Sequence, residues 1–173
     1  MWYYGEMART AWLDSGLRNY PLAATYSNNL VNHEEGLDDN VTGTPTAITA
    51  YITSSEFDLD DGHNFMFIWR VLPDITFANS TNAAPSVTMY LLPLKNSGSG
   101  YTVNKPTNSN HSVANDSFAT VTRTVVLPVE EFTGQIYTRV RGRQMAMKVE
   151  STALGVTWQL GATRIDMRAD GRR

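Results

Sequence analysis

A chain of 173 residues, 42% of them apolar, is long enough to bury one sizeable core, and its formal charge of −3 argues neither for nonspecific nucleic-acid binding nor for extreme solubility. The absence of cysteine excludes a disulfide framework, a thiolate metal site and a cysteine nucleophile. No window reaches the eighteen or so unbroken apolar residues of a membrane span, and MWYYGEMART lacks the layout of a secretory signal, so a soluble chain made in the cytoplasm is expected.

Gly, Pro, Asn, Thr and Ser punctuate the whole length, with β-branched and aromatic residues between them, which is the composition of short strands and turns. Residues 1–46 read as an N-terminal arm or hairpin, with aromatic anchors broken by turn residues, and Trp2, Tyr3 and Tyr4 as candidates for a docking contact. Residues 47–173 read as the main domain. Its candidate strands are AITAYITSSEFDL, HNFMFIWRVLPDITF, SVTMYLLPL, ATVTRTVVLP, the stretch around YTRVRGRQMAMKVES, and GVTWQLGATRIDM. Asp61-Gly62 in DLDDGH predicts a tight turn that pairs the first two antiparallel. Pro73, Pro93 and Pro128 mark strand ends or bulges, because proline has no N–H for the ladder. The run from Lys95 to Phe118 is a long polar loop, either solvated or a contact arm. The predicted fold is all-β, an antiparallel sandwich of about six to eight strands. The same alternating strands would also suit the terminal part of a larger propeller-containing protein.

One strand changes sides. Ile136 and Val140 are apolar at even positions, whereas Met145, Met147 and Val149 are apolar at odd ones. Successive side chains alternate faces, so this change of parity predicts a bulge at Gly142 and a strand that leaves one sheet for the other. Arg139, Arg141 and Arg143 then fall at the corner, either as edge charge that discourages strand addition or facing a subunit or DNA. Charge is unevenly spread as well. Residues 1–134 carry fourteen acids and six bases, and residues 135–173 carry three acids and eight bases.

No motif of the sequence has the spacing of a catalytic or metal site. EFDLDDG places Glu56, Asp58, Asp60 and Asp61 out of register with a calcium loop, and HEEGLDD has no metal-ligand spacing. His33, His63 and His111 lie in polar stretches without the frame of a catalytic base. Glu130 and Glu131 are adjacent on a strand and point to opposite faces, so they do not form a carboxylate pair. Trp69 and Trp158 sit in apolar strands and read as core. No catalytic, cofactor-binding or metal-binding residue is predicted.

The segments AYITSSEFDLDDGHNFMFIWRVLPDITF, SVTMYLLPL and YTRVRGRQMAMKVESTALGVTWQLGATRIDMRADGRR resemble the C-terminal part of tail nozzle proteins of short-tailed bacteriophages, also called packaged-DNA stabilisation proteins. AWLDSGLRNYPLAA and HEEGLDD resemble the segment just upstream. Members of that group are usually longer, with propeller-like β-domains ahead of this region. The resemblance implies a virion structural protein without enzymatic activity or cofactor, forming a six-membered ring around the DNA exit channel. Implied partners are identical subunits, the tail adaptor, fibre or needle proteins, and the genomic DNA passing through. Acidic N-terminal surface meeting the basic C-terminal strands of the next subunit is the expected complement. A second reading is a carbohydrate-binding or cell-surface-attachment sandwich of a phage tail, with Trp12 and Tyr101 as stacking residues.

Overall fold

The computed structural model of the chain describes residues 8–94 and 124–171. The predicted polar loop at 95–118 and the Trp2, Tyr3 and Tyr4 group lie outside the described residues. The described chain is all-β, with one short 3-10 turn at Asp60–Gly62. It divides into two units, Met1–Ala47 and Ile48–Arg173.

The first unit is a three-stranded antiparallel meander of β1 (Arg9–Leu13), β2 (Leu22–Thr25) and β3 (Leu30–Asn32). Asn28 takes a left-handed conformation in the β2–β3 turn, and the Asn29 N–H donates to the Thr25 hydroxyl at 3.1 Å, which fixes that turn. Ala23 and Thr25 are the buried residues of its strands.

The second unit is sandwich-like, with ten strands among its described residues. One sheet has the order β10 (Ile136–Gly142), β6 (Met66–Leu72), β13 (Arg164–Ala169). The other has the order β4 (Ala50–Thr53), β11 (Gln144–Ser151), β8 (Ser86–Leu94), β9 (Val125–Glu130), with the two-residue β5 (Phe57–Asp58) also on β11. A small pair, β7 (Ile75–Thr76) and β12 (Gln159–Leu160), completes the unit. Met66, Ile68 and Val71 of the first sheet pack in one core with Met89, Leu91, Leu127, Val129, Met145 and Val149 of the second. Each such side chain contributes about 1.5–3 kcal/mol through burial, and these residues therefore hold the two layers together.

The predicted change of sides is present. β10 belongs to one sheet and β11 to the other, so a single ribbon serves both layers. Val140 reaches the core from the first sheet, Met145 and Val149 from the second. The role of Gly142 differs from that expected, because β10 departs from regular register further upstream, between Tyr137 and Val140. Gly142 answers a demand for space: a Cβ there would stand 2.9 Å from the Gln144 carbonyl oxygen and 3.0 Å from the Pro93 Cβ.

The predicted hairpin at DLDDGH is overturned. β5 pairs with β11, whereas β6 pairs with β10 and β13, so this turn is a second crossing between the sheets. Asp60, Asp61 and Gly62 all adopt positive φ, and the tight coil they form does not return the chain alongside itself. Pro128 lies on β9, at the edge of its sheet, where a missing donor costs no ladder bond.

Candidate interaction surface

The inner face of the β10-β6-β13 sheet is apolar, and its outer face is made of arginines and aromatic rings. The cause is local. Met66 and Ile68 point inward, which sends Phe67 and Trp69 outward, and an irregularity opposite β13, between Asp166 and Met167, lets Val71 point inward again. The three strands together carry Arg70, Arg139, Arg141, Arg164 and Arg168 against a single acid, Asp166. Phe67, Trp69, Tyr137, Thr138, Arg139 and Arg168 line an open depression of about 720 Å³ on this face. The Arg168 guanidinium lies 5.2 Å from the Phe67 ring centre, and Tyr137 is 71% exposed.

The three arginines singled out in the sequence have different roles. Arg143 donates from Nη1 to the carbonyl oxygens of Gly62 at 2.7 Å and His63 at 3.3 Å, and so ties the β10–β11 corner to the β5–β6 crossing. Its backbone N–H donates to the Leu94 carbonyl at 2.8 Å, fastening the end of β8 to the same corner. Arg141 pairs with Asp170, Nε to Oδ2 at 2.7 Å, and donates from Nη2 to the Asp170 carbonyl at 2.9 Å. Both guanidiniums lie over Phe65, at 4.2 Å for Arg141 and 4.7 Å for Arg143. Arg139 is exposed on edge strand β10 and has no ion pair among the described residues.

Trp69, predicted as core, is instead part of the outer depression, because parity along β6 places it opposite Met66 and Ile68. Trp158 does pack against the core. The face also contains residues that sequence reasoning passed over: Phe65, Phe67, Tyr137 and Arg168. A signal for Phe67 was present in HNFMFIW, where the inward pair Met66 and Ile68 sends Phe67 outward together with Trp69.

In the first unit, Arg9 Nε donates to His33 Nε2 at 3.0 Å, and the His33 ring lies 4.3 Å from that of Trp12. Burial first, then the neighbouring Arg9 charge, lowers the His33 pKa, while Asp39 and Glu34 oppose the shift. In the second sheet, Lys148 is buried and pairs with Glu150 at 2.7 Å, with its ammonium 4.9 Å from the Tyr51 ring and 5.6 Å from that of Tyr90. Burial, then Glu150, raises the Tyr90 pKa. Among the described residues no group of three or more His, Asp or Glu is placed to hold a metal ion, and no helix is long and apolar enough to cross a membrane. No protein-family model and no curated protein matches this chain.

Proposed function

We propose that the chain is a non-enzymatic structural subunit of a bacteriophage tail, part of the nozzle ring around the DNA exit channel. The resemblance of its strands and its C-terminal run to tail nozzle proteins supports this reading. The single observation that carries it is the arginine and aromatic outer face of the β10-β6-β13 sheet. The depression opens on the outer face of the sheet, and its mixture of arginine and aromatic side chains is the composition of macromolecular contact surfaces. In this reading the chain is made in the host cytoplasm, needs no cofactor and closes a six-membered ring. Its neighbours are the tail adaptor and fibre or needle proteins, and genomic DNA passes along the axis.

Electron microscopy together with the native mass of the purified chain tests the proposal. A closed ring of identical subunits with an axial opening is the expected result, and a monomer at every concentration overturns it. One observation favours the carbohydrate-binding alternative, namely Trp12, which is 56% exposed on β1. A glycan-array signal lost on Trp12→Ala would favour that reading; no such signal is expected. Tyr101, its other candidate, lies outside the described residues.

A further inference from the structure

Among the described residues, two surfaces expose apolar and charged side chains of complementary chemistry. In the β1–β3 unit, Leu13, Leu17, Tyr26 and Leu30 are exposed, Leu17 at 97% and Tyr26 and Leu30 at 72% each. A three-stranded sheet whose buried strand residues are Ala23 and Thr25 has too little core to be stable by itself and needs an apolar cover. Residues 1–47 also carry six acids and two bases.

The outer face of the β10-β6-β13 sheet has the opposite character. Of its five arginines, Arg70 is paired with Asp166 and Arg141 with Asp170. Arg139, Arg164 and Arg168 have no ion pair among the described residues, and all three are exposed. Phe67, Trp69 and Tyr137 supply apolar area between the charges.

Resting on the ring reading, we propose that this outer face is the seat for the β1–β3 unit of a second copy of the chain. The seat and the seated unit are different surfaces, so the contact is heterologous, and repeating it head to tail closes a ring when the rotation allows. The aromatic rings cover the exposed leucines and tyrosines, and Arg139, Arg164 and Arg168 meet the acids around Glu34 and Glu35. Opposite charge fixes the docking register and speeds encounter, while apolar burial supplies most of the affinity. A nucleic-acid partner fits less well, because Asp166 and Asp170 already neutralise two of the arginines and the whole chain is acidic.

The test uses the full chain, with association followed by sedimentation velocity at low and moderate salt and the melting temperature recorded for every variant. Arg139→Glu with Arg168→Glu, and separately Glu34→Lys with Glu35→Lys, should each weaken self-association by about tenfold or more at unchanged melting temperature. Combining all four substitutions in one chain should restore association. Arg139→Gln with Arg168→Gln serves as a milder variant should charge reversal lower the melting temperature, and it should weaken association in the same direction. Assembly that neither pair disturbs overturns the seat and leaves the ring reading standing. A wild-type chain that stays monomeric overturns the ring reading, and this inference with it. A fluorescent DNA oligonucleotide that binds wild type and is lost in Arg139→Glu with Arg168→Glu, without any change in association, assigns the face to a polyanion and also overturns the proposal.

Discussion

Three arginines within five residues illustrate how little charge alone says about role. Arg143 satisfies two carbonyl oxygens and lies over Phe65, so Arg143→Ala should lower unfolding free energy by about 2 kcal/mol in a urea titration, from a lost charged hydrogen bond and a lost cation–π contact. Arg139, two positions from Arg141 on the same strand, is exposed and has no such contact among the described residues, and Arg139→Ala should change stability by less than about 0.5 kcal/mol. Between Arg141 and Arg143, Gly142→Ala should cost about 1–3 kcal/mol, because the added methyl meets a backbone carbonyl and a proline ring that have no room to move. If Arg139→Ala proved as destabilising as Arg143→Ala, the division between corner and exposed face would be wrong.

At the scale of an element, β11 contains a buried charge. Lys148 and Glu150 are two residues apart and therefore on the same face of the strand, where they pair between the rings of Tyr51 and Tyr90. Removing Glu150 takes the ion-pair partner from a buried ammonium. Glu150→Leu should therefore destabilise by about 3 kcal/mol, and Lys148→Met with Glu150→Leu should recover much of that, which a double-mutant cycle in guanidinium would show. The β1–β3 meander should respond to pH through His33. Its pKa is lowered from 6.5 in the folded state, so below that value the unfolded chain binds more protons. The contribution is complete above about pH 6.5 and is lost as pH falls towards the lower folded value. A proton-NMR titration should place the His33 midpoint below 6.5, and a midpoint at or above that value would contradict the burial of the ring and the neighbouring Arg9 charge that lower it.

At the scale of the molecule, stability should be uneven. The two-sheet unit has a continuous core from Met66 to Val149, whereas the β1–β3 unit buries little. Hydrogen exchange should thus be slowest in β8 and β11, which lie side by side inside their sheet, and fastest in β1 to β3. On assembly, protection should rise in β1 to β3 and along β10 and β13, since those are the surfaces proposed to meet. Protection gained elsewhere with none in these strands would contradict the proposed seat.

The alternation of apolar residues was enough to read the all-β class, the strand over 86–94 and the ribbon that changes sheets at Gly142. Each of these depends on local periodicity, and period-two patterning survives whatever the distant chain does. Partner choice is another matter. The sequence could not show that β5 pairs with β11 rather than β6, because a tight turn permits a hairpin without enforcing one, and three successive positive-φ residues turn the chain across the sandwich instead. Nor could it separate Arg143, which bonds to Gly62 and His63 some eighty positions away, from Arg139, which has no ion pair among the described residues. Periodicity along the strand settled which way each side chain points; what each side chain faces was settled only when the two sheets packed, since burial and hydrogen bonding between distant segments are properties of the packed layers.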